Sequence, residues 1–250
     1  MIGLRQILRE SKTLWGNRRA IPSLVKFLLN DHIDPVSVSA FRRLGSRGHS
    51  RTVAAGLPMD WDGSPIPWYT YPFVDFLADL NTKNWKILEF GSGQSTLYWA
   101  ARAASVLSYE NSVEWLEKMR KKSPANVELR LFEGEQTLEE LPTLDFQPEL
   151  IVVDGWKRGA CARRSIERFG LKPLYILENS DWFPEASAAM RAAGFFEIRF
   201  KGFGPINGYT WATSLMVSKE NLDRLNQIGH HSHVSGGLAA GNYEIKDIES

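Results

Sequence analysis

The chain has 250 residues, 43% of them hydrophobic and 24% charged, with a formal net charge of +1. That balance excludes a disordered or collagen-like chain and gives no strong field for a nucleic acid partner. A single cysteine, Cys161, excludes a disulfide framework and a cysteine-rich zinc site within one chain.

The segment before residue 60 reads as a helical extension. Ile2, Leu4, Ile7, Leu8, Leu14 and Trp15 mix with Arg5, Arg9, Lys12, Arg18 and Arg19 in a basic amphipathic pattern. The expectation is that this segment folds back on the main domain, with weak membrane-surface contact through the N-terminus as the lesser alternative. Its charges also break up any signal-peptide core, and no apolar run reaches the roughly 18 residues of a membrane span. The expected compartment is the cytoplasm. A basic stretch carrying Arg42, Arg43, Arg47 and Arg51 follows, read either as a solvated linker or as a grip on a phosphate-bearing acceptor.

From residue 61 the pattern changes. Trp61, Trp68, Tyr69 and Tyr71 lie just before a helical stripe of Phe73, Phe76, Leu77 and Leu80. They are candidates to wall an acceptor pocket, although core packing explains most of them equally well. Strand and helix signals then alternate. Strands are predicted at 86–90, 106–110, 127–132, 150–154 and 174–178, with helical patterns between them. Leu150-Ile151-Val152-Val153 is continuously apolar, as suits a strand covered on both faces. Strands at 195–201 and 210–217 are separated only by a Gly/Pro/Asn loop and should pair antiparallel. The chemistry predicts an α/β fold: a doubly wound, mostly parallel seven-stranded sheet. The organisation predicted is an extension at 1–60, a main domain at 61–220, and a tail at 221–250 carrying His230, His231 and His233.

In such a sheet, ligands bind beyond the carboxyl ends of the strands. The first strand ends in Glu89-Phe90-Gly91-Ser92-Gly93-Gln94-Ser95-Thr96 and runs into a helix. Its glycines permit a sharp turn and a close ligand approach, and the helix start offers free N–H groups to an anionic group. Glu110, 21 positions after Glu89 (110 − 89), closes the second strand where an acid can accept from ribose hydroxyls. Thr96 stands where a dinucleotide site has its third glycine, and the Glu89 carboxylate would repel a pyrophosphate.

Ile87-Leu88-Glu89-Phe90-Gly91-Ser92-Gly93 resembles the first motif of class I S-adenosylmethionine-dependent methyltransferases, and Tyr109-Glu110 resembles their ribose-binding acid. The resemblance spans roughly residues 85–217 and implies a Rossmann-like methyltransferase fold. The implied cofactor is S-adenosylmethionine, held by Glu89, Gly91, Ser92, Gly93, Ser95, Glu110 and Asp154, with Glu133 at the adenine. The implied acceptor is an oxygen of a small molecule or glycan precursor.

At the reacting end, Asp154-Gly155-Trp156-Lys157 resembles a turn of catechol O-methyltransferases, in which the Asp binds metal and the Lys is the general base. Glu178-Asn179 matches their Asp-Asn pair, with Glu replacing Asp and a shorter segment between the two motifs. By that resemblance Asp154, Glu178 and Asn179 would hold Mg²⁺ and Lys157 would take the proton. The same segments also resemble a bacterial methyltransferase group that need not use metal. In that reading Asp154 caps a helix or touches the cofactor amine, and Lys157 is a surface lysine. Arg158, Arg163, Arg164 and Arg168 read as a solvated helix face, with pairing to an anionic acceptor as the alternative for Arg158, nearest the crevice, and Cys161 reads as a packing residue. Two further alternatives stay open: a non-catalytic cofactor-binding regulatory protein, and a nicotinamide-dependent oxidoreductase.

Overall fold

The computed structural model describes residues 44–227. The amphipathic segment at 2–19, Arg42 and Arg43, and the histidines at 230–233 lie outside the described residues. No helix among the described residues is long and apolar enough to cross a membrane.

The elements follow in chain order. Helix α1 (His49–Ala55) and helix α2 (Tyr71–Asp79) precede strand β1 (Lys86–Phe90) and helix α3 (Gln94–Ala100). Strand β2 (Ser105–Glu110), helix α4 (Val113–Arg120), strand β3 (Val127–Leu131) and helix α5 (Glu135–Glu140) come next. Strand β4 (Leu150–Val153), helix α6 (Arg158–Phe169), strand β5 (Leu174–Leu177) and helix α7 (Pro184–Ala192) follow. Strands β6 (Phe196–Gly202) and β7 (Trp211–Val217) close the sheet.

All seven strands form one sheet in the order β3-β2-β1-β4-β5-β7-β6. β1 to β5 run parallel, and β7 pairs antiparallel with both β5 and β6. This is the predicted doubly wound architecture. Both faces are covered because neighbouring strand residues point to opposite sides. Ile87, Val106, Val152 and Ile176 pack with α2 and α3, whereas Leu88, Leu107, Ile151 and Leu177 pack with α5, α6 and α7. Cys161 is fully buried in the second cluster, consistent with packing.

Local chemistry sets the helix starts. Ser112 Oγ accepts from Trp115 N at 3.2 Å and caps α4, with Glu114 in its first turn and Lys118 and Arg120 in its last. Pro72 lies in the first turn of α2, where a missing N–H costs nothing.

Part of the chain before residue 60 is docked on the sheet domain. Arg47 pairs with Asp75 and stands over the Tyr71 ring, so this basic residue is structural and not a free anion grip. Thr52 Oγ1 accepts from Ile206 N at 2.8 Å, tying α1 to the β6–β7 loop. At the other end, the fully buried Asn221 donates to Leu171 O and Pro173 O, so packing continues past residue 220.

The strand order reverses between β1 and β4: β2 and β3 lie to one side of β1, and β4 and β5 to the other. A crevice at the carboxyl ends of those two central strands is the expected ligand position.

Candidate active site

The turns after β1 and β4 touch at that switch point. Gly91 has φ +99°, and a Cβ there would fall 2.8 Å from the Gly155 backbone. A Cβ on Gly155 would in turn meet Gly91 N at 2.8 Å and the Phe90 carbonyl carbon at 2.9 Å. Neither position has room for a side chain, so the two turns form one continuous rim. Gly93 differs, because a Cβ there meets nothing within 4 Å and faces open space.

Beneath the rim, Glu89 is fully buried and accepts from three hydroxyls: Ser95 Oγ at 2.6 Å, Thr96 Oγ1 at 2.5 Å and Ser108 Oγ at 2.7 Å. Burial raises its carboxyl to about 7, and the three hydroxyls restrain the rise. Glu89 and Ser95 therefore brace the turn from below, tying β1, β2 and α3 together. Gly91, Ser92 and Gly93 remain partly exposed above them.

Glu110 stands at the end of β2 with both oxygens on the glycine turn and the following loop. Its Oε2 accepts from Ser92 N at 3.1 Å and Ser92 Oγ at 3.0 Å, and its Oε1 accepts from Ser112 N at 2.9 Å. An ionised carboxylate has about four acceptor sites, so capacity remains for a ligand hydroxyl. Trp115 Nε1 donates to Ser92 O at 2.9 Å and fixes the turn from its outer side.

Across the crevice, Phe132, Glu133 and Gly134 follow β3. Glu133 is exposed, and its N–H donates to Thr137 Oγ1. The Trp156 indole packs edge-on to Phe132 at 6.2 Å and lies 3.6 Å from where a Gly134 Cβ would be.

Beyond Asp154 opens a cavity of about 380 Å³. Four aromatic residues line it: Trp68, Trp182, Tyr209 and Trp211. Its polar lining is Asp154, Arg158, Glu178, Asn179 and Asn207. Of the aromatics anticipated as a wall, Trp68 is here, Tyr69 and Tyr71 are buried, and Trp61 is exposed outside the lining. The composition of the β6–β7 loop does not by itself reveal that Asn207 and Tyr209 turn inward.

The structure and the sequence reading diverge most at the expected metal ligands. In place of a divalent cation stands the guanidinium of Arg158. Its Nε donates to Gly155 O at 3.2 Å. Nη1 donates to Glu178 O and to Asn179 Oδ1, the latter at 2.8 Å. Nη2 donates to Asp154 O and Asp154 Oδ1, both at 2.9 Å. Five N–H groups meet five acceptors, the full capacity of the side chain. Arg158 is thus not available to an anionic acceptor, and Asp154 and Asn179 already have a cation. The Glu178 carboxylate is directed elsewhere, accepting from Trp211 Nε1 at 2.5 Å and Thr213 Oγ1 at 2.6 Å. The residues present do not fit a resident Mg²⁺, since it would sit against a positive guanidinium. Among the described residues, no group of three or more His, Cys, Asp or Glu could hold a metal.

Lys157 also lies away from its expected place. Its backbone has φ 54°, and the turn sends Nζ to Glu135 at 2.7 Å and over the Trp156 ring. It does not line the cavity.

Asp154 is the ionisable group best placed at the rim. Its side chain is 20% exposed, and Oδ2 has no hydrogen-bond partner among the described residues. Burial raises its carboxyl to about 6, with Arg158 opposing the rise. Burial and then the Asp154 charge push Glu178 well above the ordinary carboxylate range. Backbone strain gathers nearby: the non-glycine residues with positive φ among those described are Lys157, Asn179 and Ile206, each in a loop bordering the cavity.

No protein-family model matches the sequence, and no curated protein matches it. Solved structures are similar in fold. Spermidine synthase from Thermotoga maritima is 14% identical over 62% of this chain and 58% of that one, with a TM-score of 0.46. The match thus spans under two thirds of that enzyme's length. Precorrin-6y C5,15-methyltransferase from Geobacter metallireducens is 13% identical over 65% of this chain and 98% of that one, with a TM-score of 0.46. A Streptococcus mutans protein in complex with S-adenosylhomocysteine is 15% identical over 57% of this chain and 93% of that one, with a TM-score of 0.41.

Proposed function

We propose that the protein is an S-adenosylmethionine-dependent methyltransferase acting on a hydroxyl oxygen of a small acceptor. The observation that carries this reading is the contact between Gly91 and Gly155, which joins the cofactor-type turn and the Asp154 turn in one rim beside the aromatic cavity.

Each residue has a definite task in this reading. Glu110 accepts from one ribose hydroxyl with its remaining acceptor site. The open space above Gly93 and the start of α3 face the amino-acid end, while the Ser92 and Gly93 N–H groups hold the turn by donating to Glu110 Oε2 and Thr96 Oγ1. Gly134 and the Trp156 indole, packed against each other, border the adenine on one side. Glu89 and Ser95 support the cradle from below. S-adenosylmethionine supplies the electrophilic methyl group. The acceptor oxygen forms a bond to that carbon as the carbon–sulfur bond breaks, and the hydroxyl proton passes to Asp154 Oδ2. Arg158 holds the Asp154 carboxylate by its other oxygen. The chemistry asks the protein mainly to align nucleophile, methyl and leaving sulfur and to take up one proton.

Isothermal titration tests the cofactor half directly. S-adenosylhomocysteine should bind, and Glu110→Ala should weaken it by about 1.5–3 kcal/mol, the range for hydrogen bonds to a charged group. Binding of NADH without S-adenosylhomocysteine would overturn the reading in favour of an oxidoreductase. Cofactor binding with no turnover on any acceptor, and no effect of Asp154→Asn, would favour a regulatory role.

A further inference from the structure

The electrostatics and hydrogen-bonding capacity of the cavity narrow its occupant. An anion finds no free cation on the wall: the five N–H groups of Arg158 are engaged, and Lys157 is turned towards Glu135. A cation finds no uncompensated carboxylate: Arg158 neutralises Asp154, and Glu178 is only 2% exposed, with both oxygens accepting from Trp211 and Thr213. Burial also favours the neutral form of Glu178.

What remains is neutral and two-natured. Trp182 and Tyr209 lie 6.2 Å apart with ring planes 34° from parallel, and Tyr209 meets Trp211 at 5.9 Å and 61°. These rings form a curved aromatic wall, with Trp68 also in the lining. Set among them are side-chain polar atoms without partners among the described residues: Asp154 Oδ2, Asn179 Nδ2, the Asn207 side-chain amide and the Tyr209 hydroxyl. Together they offer acceptors and donors beside apolar ring faces. A neutral ring with C–H groups on its faces and hydroxyls on its rim satisfies both at once.

We infer that the cavity beside Asp154 binds a neutral carbohydrate, with a sugar face against the Trp182–Tyr209–Trp211 wall and a hydroxyl towards Asp154 Oδ2. That this hydroxyl receives the methyl group rests on the proposed methyl transfer; the binding itself does not. Proton transfer and bond formation are those given above, with the sugar hydroxyl as nucleophile.

Saturation-transfer difference NMR on the full chain tests this without turnover. The probes are methyl glycosides of glucose, mannose, rhamnose and N-acetylglucosamine at about 20 mM, enough to detect millimolar binding. Choline and its neutral isostere 3,3-dimethylbutan-1-ol test charge selection, and glycerol 3-phosphate tests anion binding. At least one glycoside should show saturated ring C–H protons. Trp182→Ala and Tyr209→Leu should each weaken it about three- to tenfold, while S-adenosylhomocysteine affinity stays within about twofold. Both side chains are substantially exposed, so neither change removes core packing. Preferential binding of choline or of glycerol 3-phosphate would overturn the inference. Silence of every glycoside in a protein that still binds S-adenosylhomocysteine would overturn it too. Glycoside binding without S-adenosylhomocysteine binding would leave it standing while the methyl-transfer reading fell.

Discussion

Replacing Asp154 with Asn is expected to lower turnover by about 10²–10⁴-fold, the usual contribution of a positioned general base. Affinity for S-adenosylhomocysteine should change little, because the ribose and amino-acid contacts are assigned to Glu110 and the glycine turn. The pH profile should carry the same signature. A base must be ionised to accept a proton, and burial has raised the Asp154 carboxyl to about 6. The rate should therefore fall as pH drops through about 6 and level off above it. Single-turnover kinetics across pH, with the cofactor affinity of Asp154→Asn measured in parallel, check both points. Should Asp154→Asn chiefly weaken cofactor binding, with the pH profile unmoved, the carboxylate belongs to the cofactor amine and not to the acceptor.

The scaffold of this site was legible in the chain because the determinants are local. Apolar runs such as Leu150–Val153, short and closed by Asp154-Gly155, suit strands covered on both faces, and the Gly91–Gly93 turn marks where a strand passes into a helix. Glu110 could be placed because strand–helix–strand units have nearly constant length. The reacting end was not legible to the same degree, because its chemistry depends on which long-range partners meet. Asp154, Glu178 and Asn179 have the residue types of an oxygen-rich cation site, and they do surround a cation. That the cation is Arg158, from the first turn of α6, depends on how that turn is oriented. The left-handed backbone at Lys157 sets this orientation and also sends the lysine to Glu135. Spacing cannot reveal a left-handed lysine. Glu89 is a similar case: its motif position suggests a ligand contact, whereas Ser95 and Thr96 of α3 and Ser108 of β2 converge on it and enclose it. Next to Asn207, Ile206 has a positive φ and donates its N–H to Thr52 Oγ1, more than 150 residues earlier, a contact that spacing does not reveal.

Removal of the Arg158 guanidinium should have the second large effect, and a distinctive one. An opposite charge at this range ordinarily lowers a carboxyl by about 1–3 units, so Arg158→Met should move the acid limb of the rate profile upward by that amount. At pH 7 the ionised fraction of Asp154 would fall from roughly nine-tenths to between about a half and a hundredth. The ends of β4 and β5 would also lose their shared donor, and breaking such a buried pair costs about 3–5 kcal/mol. A lower thermal midpoint alone would therefore say little. Arg158→Lys separates the two contributions, because an ammonium keeps the charge but cannot reproduce the planar fork of five donors. The lysine variant should restore the acid limb towards its original position while recovering only part of the turnover. Added guanidinium ion at low millimolar concentration should partly rescue Arg158→Ala. In the unsubstituted protein, EDTA should leave turnover intact and Mn²⁺ should leave the thermal midpoint unmoved, because the oxygens of Asp154 and Asn179 already face a cation. Loss of activity with EDTA and its return with Mg²⁺ would require Arg158 to leave this position in the working enzyme, and the organising role assigned to it would fall.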